Sequence, residues 1–274
     1  MVPMRTTHVL EANPGFRICK VSCDAPAGPL SEPETTRRFT LVLPQRGRFL
    51  REVNGTRYFV DNSTAYFEVP GQEQRVGHPC DGGDICTVVT VAADLISPAA
   101  DPSELPDGPL MPSSTVAFHH QALLATARRA DHPAATDHVV GLITEALSAN
   151  RPTELSGRPE VTLRRRQLVE IAREALADDP SVNLPELAVT TGCSPHHLSR
   201  IFPLVVGCSL SQYRMQLRMA FALERLGEGE DNLSLVAAQA GFADHAHLTR
   251  VATRLLGETP SSLRNAIQRG GKRA

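Results

Sequence analysis

Residues 184–264 carry one pattern twice. Leu184, Leu187, Ala188 and Gly192 are matched by Leu233, Val236, Ala237 and Gly241 at a constant separation of 49 residues. Beyond the glycine the separation becomes 50: Leu198, Ser199 and Arg200 match Leu248, Thr249 and Arg250, and Gly207, Ser209, Ser211 and Arg214 match Gly257, Thr259, Ser261 and Arg264. A repeat at such a period means one supersecondary unit made twice. Each copy reads as helix, glycine-centred turn, helix. The small Ala188 or Ala237, four residues before the glycine, lets two helices approach closely. The glycine supplies the backbone conformation that reverses the chain. Leu198 or Leu248 then fastens the second helix onto the first. This is the logic of a helix-turn-helix, whose second helix enters the DNA major groove.

Start signals agree with that reading. "SPHHLSRIF" opens with Ser194 as N-cap and Pro195 at the first helical position. "DHAHLTRVATRLLG" opens with Asp244 as N-cap, and "TPSSLRNAI" with Thr259 and Pro260. The amphipathic "LRRRQLVEIAREALADD" precedes the repeat, and the long "LSQYRMQLRMAFALERL" joins its two copies. With Leu198, Ile201 and Phe202 turned inward, His196, Ser199 and Arg200 face out. Pro203 cannot bond the Ser199 carbonyl, which predicts a shortened or kinked helix. Cys193 and Cys208 fall on apolar positions and read as core.

The histidine-rich "GFADHAHLTR" invites a metal reading that geometry rejects. His245 and His247 stand two apart on a helix, so they point about 200° apart and cannot chelate one ion together. The charge balance suits nucleic acid weakly: net charge is -2, but from residue 161 on there are 14 basic and 11 acidic residues. Only Lys20 and Lys272 are lysines, and arginine is the better bidentate partner for guanine and phosphate.

The front half is different in kind. "RRFTLVLP", "GRFLREVNG", "TRYFVD", "TAYFEVPG" and "DICTVVTVAAD" read as short strands of a small β-barrel or sandwich. Asn54-Gly55 marks a hairpin. Segment 98–112 is a Pro-rich loop, and "NRPTELSGRPE" a linker. Between them "SSTVAFHHQALLATARRA" and "AATDHVVGLITEALSAN" read as two helices, the second with Val139, Leu142, Ile143 and Leu147 on one face. The fold class is therefore α+β: a strand-rich domain plus a helical pair, then an all-α domain. Hydrophobic residues make up 41% of the 274 and aromatics only 4%, with no Trp, so the cores must be built from Leu, Val, Ala and Phe. No window holds the roughly 18 apolar residues a membrane helix needs, and the first residues lack a signal core. A cytoplasmic protein is expected, with its six cysteines as thiols or metal ligands rather than disulfides.

The motifs "SPHHLSRIF", "GCSLSQYRMQLRMAFAL", "LSLVAAQAGFADHAHLTR" and "LGETPSSLR" resemble those of the AraC/XylS family of transcription regulators. The resemblance covers roughly residues 160–268. It implies about seven helices with two helix-turn-helix units on a connecting helix, engaging one face of double-stranded DNA in groove segments about one turn apart. Carried over by motif position, the groove-facing residues are His196, Ser199 and Arg200 in the first unit and His245, Ala246, Thr249 and Arg250 in the second. The sequence departs from the family at Pro203, and at Leu248, Ala252 and Leu263, where aromatic residues are usual; looser packing of the second unit is expected. The resemblance further implies a cupin-like sensor barrel over 1–97, dimerising helices over 113–150 that make a homodimer, and RNA polymerase as a partner it would allow.

The expected function is thus a DNA-binding regulator whose front domain senses a metal, a thiol-reactive species or a small molecule. The alternative is a cupin-type enzyme with an accessory helical domain. Against it stand the lack of a His-x-His motif, a phosphate loop and a nucleophile–base pair, so no enzyme activity is expected. Cys19, Cys23, Cys80 and Cys86 are candidate zinc ligands, with His78 as a substitute. If "FRICKVSC" is one strand, Cys19 and Cys23 lie about 13 Å apart and one ion takes both only if the chain bends. Buried, inert cysteines are the competing reading. Phe39, Leu41, Phe59 and Phe67 would line a small-molecule pocket or form plain core.

Overall fold

The computed structural model describes residues 5–92, 105, 107–110, 113–148 and 159–269. Segment 98–112 lies mostly outside the described residues, as does the linker "NRPTELSGRPE" (150–160), of which only Pro159 and Glu160 are described, and these open a helix. The chain divides into two compact units, one of residues 1–110 with 122–149, the other of 111–121 with 150–272.

Among the described residues the first unit holds an eight-stranded sheet that curls into a half-barrel. Its strands are β1 (Arg5–Ala12), β2 (Phe16–Cys23), β3 (Glu34–Thr35), β4 (Thr40–Val53), β5 (Thr56–Asp61), β6 (Tyr66–Glu68), β7 (Glu73–Gly77) and β8 (Asp84–Val91). All neighbours pair antiparallel, in the order β1-β2-β8-β4-β7-β3, with β5 and β6 also on β4. The curl is made by β4. Its first half pairs with β6 and β8, its second half with β5 and β7.

Two features of this sheet differ from the sequence reading, each for a physical reason. Pro44 and Gly47 break the pattern between "RRFTLVLP" and "GRFLREVNG", yet β4 runs through them as one strand. The register slips between Pro44 and Arg46, and such a bulge absorbs the extra residue and bends the strand. Gly47 is obligatory in that bend: φ is +80°, and a Cβ would stand 2.1 Å from the Gly83 carbonyl oxygen. Strand β1 lay outside the strands read from the sequence, because most of its residues are exposed and carry no apolar alternation. The Asn54-Gly55 turn has φ of +50° and +72°, which is what a two-residue hairpin of this hand requires.

Inside the curl Val42, Phe49, Val60, Tyr66 and Cys86 form one apolar cluster. Phe39, Leu41, Phe59 and Phe67 are also buried, with the Phe39 and Phe67 rings 5.2 Å apart. Helices α1 (Ser114–Arg129) and α2 (His132–Ser148) follow, α2 burying Val139, Leu142 and Ile143 as its spacing predicts and leaving Leu147 half-buried. His132 Nδ1 lies 2.8 Å from the buried Glu11 carboxylate, which ties the start of α2 to β1.

The described part of the second unit holds α3 (Pro159–Asp178), α4 (Leu184–Thr191), α5 (Pro195–Val206), α6 (Leu210–Gly227), α7 (Leu233–Gln239), α8 (His245–Leu256) and α9 (Pro260–Arg269). Val169, Ala172 and Leu176 of α3 pack with Leu187, Leu198, Ile201, Phe202 and Val206, and α6 adds Tyr213 and Leu217 to the same core. Further along α6, Met219, Ala222, Leu223 and Leu226 are buried too. A helix of 18 residues is about 27 Å long, enough to carry one core at each end. Arg173, 1% exposed, is compensated by Glu170 at 2.7 Å and by the Tyr213 hydroxyl at 3.2 Å.

Candidate nucleic-acid interface

The second helix of each repeat is set by its caps. Asn183 accepts from the Glu186 backbone N–H while Glu186 reaches back to the Asn183 N–H, so α4 begins with a capping box. It ends at Gly192 with φ of +68°, the left-handed conformation that turns the chain into α5. Ser194 then accepts from His197 N–H, and Pro195 occupies the first turn. In the second unit Gly241 has φ of +76°. Asp244 accepts from His247 N–H at 2.6 Å to start α8. Helices α5 and α8 are each 12 residues long and each ends on a left-handed glycine, Gly207 and Gly257.

Pro203 therefore does not shorten α5. It stands in the last turn, where it forfeits one bond, and its own carbonyl accepts from Gly207 N–H at 2.9 Å. Leu248, Ala252 and Leu263, which replace aromatic residues, are all buried. Ala188 and Ala237 are both buried.

The inward faces are Leu198, Ile201, Phe202 and Val206 on α5, and Leu248, Val251 and Ala252 on α8. His196, Ser199 and Arg200 are exposed on the opposite face of α5, and His245, Ala246 and Arg250 on that of α8. Thr249 is half-buried, its hydroxyl donating to the His245 carbonyl at 2.9 Å. His247 plays a different part. Its Nδ1 accepts from Ala243 N–H at 3.3 Å and its ring stands edge-on to Phe242 at 5.4 Å, so it locks the turn. An arginine on such a face can bond guanine through two donors, and a histidine or serine through one.

Two arginines were not singled out by sequence reasoning. Arg214 donates to the Val182 carbonyl, and Arg264 to the Asp231 carbonyl at 3.1 Å with the Asp231 carboxylate at the same distance. Each joins the last helix of a repeat to the residue before the cap of its first helix. Their matched positions in the repeat were the only signal.

The six cysteines are free thiols. Cys193 and Cys208 pack against the α3–α6 core, where burial pushes the Cys208 thiol up to about 11. In the first unit Cys19 and Cys23 lie in one strand, and only Cys23 joins a donor cluster: with His78 and Asp84 it offers three ligand atoms within 4.8 Å of one another. His78 Nε2 is 2.7 Å from Asp84 Oδ1, both side chains being buried. Cys86 Sγ donates to Asp84 Oδ2 at 3.2 Å. Cys80 is held instead by Arg48 Nε at 3.3 Å. Burial raises the thiols of Cys23 and Cys86, the reverse of what a reactive thiolate needs. Asp84 went unnoticed in the sequence because "GGD" reads as a turn; only the β2–β8 pairing sets it opposite Cys23.

Comparison with known proteins bears on the second unit. Residues 187–266 match the family model described as a helix-turn-helix domain. Probable transcription factor PqrA of Proteus vulgaris is 29% identical over 89 residues, 32% of this chain and 73% of that protein. The HTH-type transcriptional regulator Rv1931c of Mycobacterium tuberculosis is 32% identical over 82 residues, 30% of this chain and 32% of that protein. Among solved structures, fatty-acid-bound ToxT of Vibrio cholerae aligns over 96% of this chain and 99% of that one, at 10% identity and a TM-score of 0.37. Residues 187–266 thus form a helix-turn-helix domain, in which the motif stands twice.

Proposed function

We propose that the chain is a DNA-binding transcription regulator in which the segment 160–268 reads an operator with two recognition helices, and the segment 1–97 receives a signal. The observation that carries this is the pair of equal helices α5 and α8, each clamped by an inward apolar face and presenting a histidine, a polar residue and an arginine outward. Arg200 and Arg250 would supply bidentate contacts, His196, Ser199, His245 and Thr249 single ones, and Ala246 a methyl contact. The helical pair over 113–150 would join two copies, so that a homodimer spans two operator halves and a signal shifts how the DNA-binding parts are presented. The signal would be a metal ion such as zinc, a thiol-reactive species or a small molecule. No helix among the described residues is long and apolar enough to cross a membrane. The first test is a mobility shift of the full chain on the DNA preceding its own gene. A shifted species that survives excess unrelated duplex supports the reading, and equal displacement by any duplex contradicts it.

A further inference from the structure

Cys23, His78 and Asp84 come from three strand ends: the last residue of β2, the residue after β7 and the first of β8. Cys23 and Asp84 are direct partners across the β2–β8 ladder, so their side chains share a face. Cys86, two residues along β8, shares that face as well, and it is Asp84 that its thiol contacts. The carboxylate thus gathers an imidazole nitrogen at 2.7 Å and a sulfur at 3.2 Å, with a second sulfur close by.

The surrounding loops hold these groups in place. Gly83 has φ of +62°, and a Cβ there would stand 1.9 Å from the Cys23 carbonyl oxygen. The Gly82-Gly83 turn is therefore pressed onto the end of β2. Gly28 N–H donates to the His78 carbonyl at 3.0 Å, and Asp81 accepts from Ala27 N–H at 2.7 Å. The segment carrying His78 and Asp84 is pinned on both sides to the segment that follows Cys23.

We propose that this cluster is a zinc site with Cys23, His78, Asp84 and Cys86 as its four ligands. Two sulfurs, one imidazole nitrogen and one carboxylate oxygen form a soft-to-borderline set that suits Zn²⁺ and not Mg²⁺ or Ca²⁺. Zinc bonds of about 2.0–2.3 Å place tetrahedral ligands roughly 3.3–3.8 Å apart. The donor atoms of Cys23, His78 and Asp84 already lie within 4.8 Å of one another, while Cys86, which contacts Asp84 alone of the three, must turn its sulfur toward them to complete the set. On binding, the two thiols release their protons to solvent and the imidazole coordinates in its neutral form. Two thiolates and a carboxylate leave one negative charge on the loaded site, and Arg5, opposite Cys23 in the β1–β2 ladder, stands next to it. Cys19 and Cys80 take no part. The set therefore replaces the four-cysteine one expected from spacing. As the signal of the regulator proposed above, the ion rests on that reading; the site itself does not.

The test loads the full reduced chain, stripped of metal by a chelator, with zinc chloride alone, and separately with cobalt(II) as a spectroscopic stand-in. One zinc per chain is expected, with a thiolate-to-cobalt charge-transfer band. Cys23→Ser, His78→Gln and Asp84→Asn should each weaken binding by at least about tenfold, while Cys19→Ser and Cys80→Ser leave it unchanged. Asp84→Asn keeps size and one acceptor oxygen while exchanging the other for a donor NH2, and circular dichroism confirms that each variant compared is folded. Should a ligand variant unfold, the wild-type cobalt spectrum decides: no charge-transfer band overturns the proposal. Binding of less than about half an equivalent by the folded wild type overturns it, as does an equal loss in Cys80→Ser. A mobility shift with and without zinc reads the coupling separately: a chain that loads zinc but shifts no DNA refutes the regulator reading and leaves the site standing.

Discussion

Arg214 donates to the Val182 carbonyl, and fifty residues later Arg264 makes the equivalent bond to Asp231. Each helix-turn-helix unit is thereby closed on itself, its last helix holding the residue that precedes its first. Arg214→Met and Arg264→Met should each destabilise the second unit by about 1–3 kcal/mol, the range for a hydrogen bond to a charged group. Urea unfolding measures this. DNA affinity of the folded fraction should stay unchanged, because neither arginine lies on the outward face of α5 or α8.

Close helix approach at the repeated alanines makes a second prediction. Ala188→Leu and Ala237→Leu insert side chains where the residue is buried against a neighbouring helix. Overpacking of this kind costs about 1–3 kcal/mol. Thermal unfolding should show a lowered midpoint for both, with Ala188→Ser close to wild type. An unchanged midpoint for both leucine variants would mean that the two helices do not meet there.

His247 should behave as a structural residue in spite of its neighbours. His247→Ala removes the Nδ1 bond to Ala243 and the contact with Phe242, so stability falls, by about 1 kcal/mol for the lost hydrogen bond alone. His245→Ala leaves stability unchanged and weakens DNA binding. The two variants, compared by unfolding and by fluorescence anisotropy, separate the roles.

The second helices of the repeat were legible in the sequence because caps, glycines and inward leucines are local signals, and the repeat states them twice. Tertiary partners were not. Arg214 and Arg264 look like any surface arginine until the helices are folded. Asp84 becomes a ligand candidate only when β8 is laid beside β2. The continuity of β4 was hidden by Pro44 and Gly47, residues that end strands as often as they bend them. Cys19 and Cys23 illustrate the opposite case: strand spacing alone already separated them.

Burial sets a pH dependence. His120 is buried, and desolvation lowers its pKa from 6.5 to about 4. The native ring stays neutral while the unfolded chain takes up a proton as pH falls below 6.5. Stability should therefore be fully present above pH 6.5, fall between pH 6.5 and about 4, and level off below that. The loss is about 3 kcal/mol at one unit per 1.36 kcal/mol. His138, lowered in the same direction by burial, adds to it. A series of urea unfolding curves from neutral to acid pH measures the slope, and His120→Gln should reduce it.

The outward arginines of α5 and α8 carry the central claim. The decisive measurement is the affinity of the Arg200→Ala/Arg250→Ala double variant for the chain's own promoter DNA, by fluorescence anisotropy at fixed salt. Two bidentate contacts of about 1–3 kcal/mol each predict a loss of at least about 30-fold, with an unfolding midpoint equal to wild type. Unchanged affinity in a folded double variant would contradict the assignment of α5 and α8 as the helices that read DNA.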